Sequence, residues 1–386
     1  MNNTLEETIA RITPELIETR HHIHQNPELS DQEAGTARLV AARLAALGLE
    51  VRAEVGGHGV IGTLRGARPG RTLALRADMD ALPIGEESDL PYRSQNVGVM
   101  HACGHDGHTT VLLGAAQALA AERDRIAGSV RFLFQPSEET GQGARRMCAA
   151  GAMDGVDAAA ALHAWPPLPV GQIGIRMGAM TASADTFDIL IHGSGAHAAY
   201  PHLSADPVVA AAQVILALQT LVSREIDPVE PAVVSVTQVS AGTAPNVIPE
   251  TVRLAGTVRT HSNAVREAIP ERMRRVVEGV CAAGRAHAEI HFRQGTPPLV
   301  NDPSVAALIA DAAGETLGRE NVILLPHASM GAEDFAEYLA YAPGALLRLG
   351  LGQPTPLHAP TFDFPDAALP VGVRVLSAFA LRFLGA

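Results

Sequence analysis

FDILIHG (187–193), a helical run near 206–222, VVSVTQVSAG (233–242), VRLAGTVRT (252–260), a second helical run near 263–283 and HAEIHF (287–292) decide the fold. Three of the four short segments are rich in β-branched residues, and the two longer runs repeat their apolar residues at helical spacing. The resulting β-α-β-β-α-β order is the split, ferredoxin-like pattern, which closes on itself as a small α+β domain. Residues 183–295 are therefore expected to form such a domain.

Outward from it on both sides the pattern differs. Short apolar runs at 72–75, 130–134, 158–162, 322–325 and 345–349 are separated by helical stretches such as 109–121 and 304–316, and an amphipathic helix at 31–47 stops at Gly48. Strands alternating with helices predict an α/β layer with a mostly parallel central sheet. Because this pattern resumes after Pro297 and Pro298, the larger domain is expected to be discontinuous, 1–182 and 296–386, with the small one inserted as a lid or dimerisation domain.

A length of 386 residues suits two domains. Apolar residues make up 47% of the chain and charged residues 18%, and no run approaches the roughly 18 uninterrupted apolar residues of a membrane span, so no membrane association is expected. The start, MNNTLEETIARITPEL, is polar and acidic and carries no mark of an export signal. Cys103, Cys148 and Cys281 are odd in number and form no CxxC pair, which argues against a disulfide framework and fits a reducing cytoplasm. The formal net charge of -12 disfavours nucleic acid, whose phosphates need clustered lysine and arginine. Sixteen histidines against one tryptophan favour metal or proton chemistry over stacking on bases or sugars.

The densest chemistry lies in MHACGHDGH (100–108), where Cys103, His105, Asp106 and His108 share a glycine-punctuated loop entering a helix. Thiolate and imidazole suit zinc and its neighbours, and a helix N-terminus favours an ionised cysteine. Further donors follow the ends of expected strands: Asp78 and Asp80, then Glu138 and Glu139, then His163. In a parallel sheet the carboxyl ends of strands line one edge, so donors distant in sequence converge there. In QPSEE, Glu138 and Glu139 would point in opposite directions if extended, one toward a metal and the other toward an attacking water. The residues themselves do not say which does which, and two solvated charges at a helix start remain the plainer alternative.

Two motifs are decoys. Gly57, Gly59 and Gly62 spell GxGxxG, but the strand-like TLRG follows where a dinucleotide fold needs a helix. Ser194 in HGSGA lacks the first glycine of a nucleophile elbow, since His192 stands there.

From His24 onward the chain resembles the amidohydrolase family of hippurate hydrolases, N-acyl amino acid amidohydrolases and indoleacetate-amino acid hydrolases, relatives of aminoacylase and the two-metal exopeptidases. The resemblance rests on ordered blocks: HQNPELS (24–30), LRADMDALP (75–83), MHACGHDGHT (100–109), FQPSEE (134–139), LHAWP (162–166), GSGAHAAYPH (193–202), GTAPNVIPE (242–250), MGAEDF (330–335) and PLHAPTFDF (356–364). It implies that Cys103, His105, Glu139, His163 and His358 hold two divalent ions, zinc or manganese with cobalt or nickel as alternatives. It further implies that Glu138 is the general base and that Asp80 supports the metal site. His197 and Asn246 match positions that reach the substrate carbonyl or oxyanion, the histidine coming in some relatives from a partner subunit. Arg259 is a candidate for the substrate carboxylate or, equally, an exposed strand charge. Tyr200 and Pro245 depart from the family pattern and bear on acyl preference. The activity implied is metal-dependent hydrolysis of N-acyl amino acids by a homodimer or higher homo-oligomer, with a dipeptidase or an N-acetyl-diaminopimelate-type deacetylase as the alternative.

Overall fold

The computed structural model describes residues 3–385, which divide into two compact units. The larger comprises the described residues of Met1–Gly178, Val300–His327 and Asp334–Ala386, and the smaller comprises Ala179–Leu299 and Ala328–Glu333.

An eight-stranded sheet forms the larger unit, in the order Glu50–Val55, Gly59–Arg65, Ala127–Gln135, Arg68–Asp78, Ala158–Trp165, Gly344–Gly350, Ile173–Ile175, Val322–Leu324. Its four central strands, from Ala127–Gln135 to Gly344–Gly350, are mutually parallel, while the hairpin at one edge is antiparallel and Ile173–Ile175 runs against Gly344–Gly350 but parallel to Val322–Leu324. Every residue of Gly344–Gly350 is buried, as expected of a strand covered on both faces.

The covering helices follow from their apolar spacing. In Asn3–Gln25 the buried Leu5, Ile9, Ile12, Leu16 and Ile23 recur at steps of three, four or seven, which places one stripe against the core. From Val111 onward His105–Ala121 is apolar almost all round, and the helix, its polar first turns included, is buried almost all round, between the N-terminal helix and Leu369–Leu384. That central burial fixes the loop before it, where Cys103 and His105 stand.

Two helical segments, Pro207–Glu225 and Asp366–Leu384, are long and apolar enough to cross a membrane by length and composition, although neither is an uninterrupted apolar run. In the most apolar window of the second, 72% is buried in the protein, as befits a core helix.

A buried polar network ties the N-terminal helix to the first turn of His105–Ala121. His24 Nδ1 donates to Asp106 Oδ2 at 2.9 Å and its Nε2 faces Glu86 Oε1 at 3.3 Å, while Arg20 reaches Asp106, Asp363 and Asp366. Burial opposes a charge on His24, but Asp106 and Glu86 more than offset it and raise its pKa from 6.5 to about 9. The stability this contributes is therefore complete below pH 6.5 and lost as pH rises through about 9. The full swing is about 3 kcal/mol. Denaturant unfolding of chelated protein at pH 6 and pH 9.5 should show this loss, and His24→Gln should largely remove the difference. An equal pH difference in the variant would contradict the assignment.

The smaller unit carries a four-stranded antiparallel sheet in the order Ala232–Ala241, Thr251–Thr260, Ala184–His192, His287–Thr296. Strict alternation buries Val252, Leu254 and Val258 of its second strand against the helices Pro207–Thr220 and Asn263–Ala283, whose inward residues include Val214, Leu218, Ile269, Met273 and Val277. Asp206 and Ser262 cap the two helices through their side chains. Segment 328–333 joins this unit through backbone bonds: Ser329 N donates to Met180 O at 3.0 Å and Ala182 N to Gly331 O at 2.9 Å, with His261 Nε2 2.9 Å from Ser329 O.

Candidate metal centre

The donors lie where the central strands end. Arg68–Asp78 runs on to Asp80, Ala127–Gln135 precedes Glu138 and Glu139, Ala158–Trp165 holds His163, and the loop after Gly344–Gly350 reaches His358. Several groups of donor atoms lie within 4.8 Å of one another, and two of them share a thiol: Cys103, His105 and His163, and Cys103, Glu139 and His358. Cys103 is common to both.

Hydrogen bonding fixes which atoms face inward. His105 Nδ1 lies 2.8 Å from the Asp80 carbonyl and His163 Nδ1 lies 2.9 Å from the Ala164 carbonyl. A carbonyl only accepts, so both Nδ1 atoms donate and both Nε2 atoms keep a lone pair for a metal. His163 Nε2 is 3.5 Å from Cys103 Sγ, and Glu139 Oε1 is 3.8 Å from His105 Nε2 and 3.7 Å from His358 Nε2. His358 has φ 66°, a left-handed conformation, and its backbone N–H donates to Ala102 O at 2.8 Å, which ties the two donor loops together.

These residues fit divalent ions. His105 Nε2 and Glu139 Oε1 are buried without a hydrogen-bond partner, a costly state that a metal would relieve. Burial pushes the Cys103 thiol far up and the Glu139 carboxyl up, so neither ionises readily without a cation beside it. Burial also holds His163 well below its usual pKa, in the neutral form that ligates. Burial works against a charge on His105 too, but Asp78 and the Cys103 sulfur hold its pKa well up, and a metal would displace that proton.

Behind the donors stand Asp80 and Asp78. The Asp80 carboxylate accepts from Glu138 N at 3.0 Å, Glu139 N at 3.1 Å and Ser30 Oγ at 2.7 Å. Asp78, held to Arg76 at 2.7 Å, accepts from His108 Nδ1 at 2.6 Å and lies 3.7 Å from His105 Nε2. The sequence places Asp78 at a strand end without giving it this work; its spacing of two from Asp80 was the available signal.

The structure corrects one expectation. Glu138 and Glu139 stand on a turn after Ser137, whose φ is 55°, and not on an extended segment. Their carboxylates converge with His105 within 4.8 Å instead of pointing in opposite directions, because both backbone N–H groups are pulled onto Asp80. In MHACGHDGH only Cys103 and His105 turn inward together. His108 bonds Asp78 and Ala164 N, and Asp106 turns away to His24 and Arg20.

The remaining candidates belong to the smaller unit. His197 pairs with Val247 across a two-stranded ladder, so Asn246 comes beside it, and Asn246 O accepts from Ala198 N at 3.0 Å. His197 Nδ1 accepts from Ala199 N at 3.0 Å, which leaves Nε2–H as the exposed donor. Arg259, half-buried, bonds Thr257 Oγ1 and, at 3.1 Å, Val258 O.

The profile of peptidase family M20/M25/M40 matches residues 74–382. An N-acyl-L-amino acid amidohydrolase of Geobacillus stearothermophilus is 46% identical over 298 residues, 77% of this chain and 80% of that one. An N-acetyl-L-cysteine deacetylase of Bacillus subtilis is 40% identical over 97% of this chain and 90% of that one. A crystal structure of a dinuclear metal-binding peptidase of the M20 family from Bacillus subtilis superposes with a TM-score of 0.88 at 38% identity, covering 97% of this chain and 99% of that one.

Proposed function

The chain belongs to peptidase family M20/M25/M40, and from that premise we propose that it hydrolyses the amide bond of N-acyl amino acids to a carboxylic acid and a free amino acid. It is a metal-dependent amidohydrolase. The observation that carries the reading is the pair of donor triads sharing Cys103, with a second carboxylate, Glu138, beside His105 and Glu139. A metal store needs no such extra carboxylate, whereas hydrolysis needs a base.

Cys103, His105 and His163 would hold one ion and Cys103, Glu139 and His358 the other. Zinc or manganese is proposed, with cobalt or nickel accepted by the same mixed donors. Bound ions would supply Lewis-acid activation of water and polarisation of the carbonyl. Glu138 takes the proton of the attacking water and later delivers it to the departing amine, acting as base and then acid. Asp80, through its bonds to both glutamate N–H groups, holds that pair in place. His197, from Nε2–H, and Asn246 are proposed to meet the carbonyl oxygen as it gains charge, and Arg259 the substrate carboxylate.

We read the smaller unit as a ferredoxin-like domain inserted into the catalytic one, and the protein as a cytoplasmic homodimer. Buried, unpaired Cys103, Cys148 and Cys281 support a reducing compartment, and exposed Val208, Val209 and Leu216 on one helix of the smaller unit support self-association. If His197 acts across the dimer, mixing inactive His197→Ala and Glu138→Ala subunits should restore activity, and no recovery after subunit exchange assigns it to its own chain.

Release of free amino acid from N-acetyl, N-benzoyl and dipeptide substrates tests the function. Cleavage of the N-acyl compounds is expected. Activity confined to dipeptides would replace the reading with the peptidase one.

A further inference from the structure

Glu33 is at the N-cap of the helix Ala34–Ala46, yet its side chain makes no capping bond there. Glu28 does that work, accepting from Gly35 N and Thr36 N at 2.8 Å each. Glu33, fully buried, turns to Ser137: its Oε1 accepts from Ser137 N at 2.8 Å, Asp31 N at 3.1 Å and Ser137 Oγ at 3.4 Å, while Oε2 has no partner. A buried carboxyl without a cation is costly, and burial pushes its pKa up. The two residues it clasps, Asp31 and Ser137, are both left-handed, with φ 66° and 55°. Non-glycine residues adopt that conformation rarely and need surroundings that impose it.

Ser137 immediately precedes the two glutamates. Its left-handed turn is what lets both following N–H groups meet Asp80, and Asp80 is gripped from the same N-terminal segment by Ser30. We propose that Glu33 is a positioning residue that holds Ser137 left-handed and so aims Glu138 and Glu139 at the metal centre. The role rests on the amidohydrolase reading for its catalytic consequence, but not for its effect on metal binding.

Glycine adopts a positive φ without help. If Glu33 acts through the backbone of residue 137, Ser137→Gly should compensate for its loss; if it only stabilises the fold, that second change has nothing to restore. The test compares wild type, Glu33→Ala, Glu33→Gln and Glu33→Ala/Ser137→Gly, all verified as folded, by zinc affinity in competition with a chromophoric chelator and by kcat on an N-acetyl amino acid. Glu33→Ala should weaken zinc binding and lower kcat by about 10- to 100-fold, the range for residues that orient metal ligands. Glu33→Gln, which keeps an acceptor at Oε1, should return most of both, and the double variant should regain about tenfold over Glu33→Ala.

A Glu33→Ala protein equal to wild type, or a double variant no better than Glu33→Ala, overturns the proposal. Should Glu33→Ala not fold, loss of zinc affinity in Glu33→Gln would do the same. Zinc affinities that follow the expected pattern in a protein that cleaves no substrate would refute the amidohydrolase reading and leave the positioning role standing. Unchanged affinities in an active wild type and its variants would do the reverse.

Discussion

Replacing Cys103 by alanine is expected to abolish turnover and to empty the whole metal centre. Cys103 belongs to both donor groups, so its loss leaves only His105 and His163 on one side and Glu139 and His358 on the other. A two-donor remnant keeps little of the apparent 10–16 kcal/mol that complete zinc sites reach in peptides at neutral pH. His358→Ala should behave differently, because it removes a donor from one group alone. After gel filtration in zinc-free buffer, metal analysis should find Cys103→Ala depleted of both ions and His358→Ala depleted of one. Retention of one firmly bound ion by Cys103→Ala would show that the sulfur is not shared.

Glu138→Ala should separate chemistry from binding. Loss of a general acid–base group lowers turnover by about 10²- to 10⁴-fold. The five proposed ligands are untouched, and Glu139 keeps its bond to Asp80 through its own N–H. Metal content should therefore equal that of wild type while kcat falls and KM changes little, as expected for an interaction made in the transition state. His163→Ala, which removes a donor, should lose metal as well as activity. Near-normal turnover in Glu138→Ala would sink its assignment as base.

Much of this was legible in the sequence where local pattern and global packing agree. The alternation in VRLAGTVRT reappears as alternating burial along Thr251–Thr260. The short apolar runs at 72–75 and 130–134 lie inside parallel strands, so the donors after them share one sheet edge. The sequence was least informative where distant residues impose the backbone. Nothing local in QPSEE signals a left-handed serine, because the carboxylate that holds Ser137 comes from Glu33, 104 residues away. Asp106 looked like a further donor in a dense loop, yet buried His24 and Arg20 on the N-terminal helix draw it elsewhere. Segment 328–333 shows neither strand alternation nor helical spacing, and joins the smaller unit through backbone bonds to Met180 and Ala182 and through the His261 side chain.

Stepwise reconstitution of chelated protein with zinc or manganese, followed by release of free amino acid from an N-acetyl amino acid, tests the central claim most directly. The chelated protein should be inactive, and activity should climb with added metal to a plateau at two ions per chain. Full activity after chelation, or no hydrolysis of any N-acyl substrate with both ions bound, would contradict it.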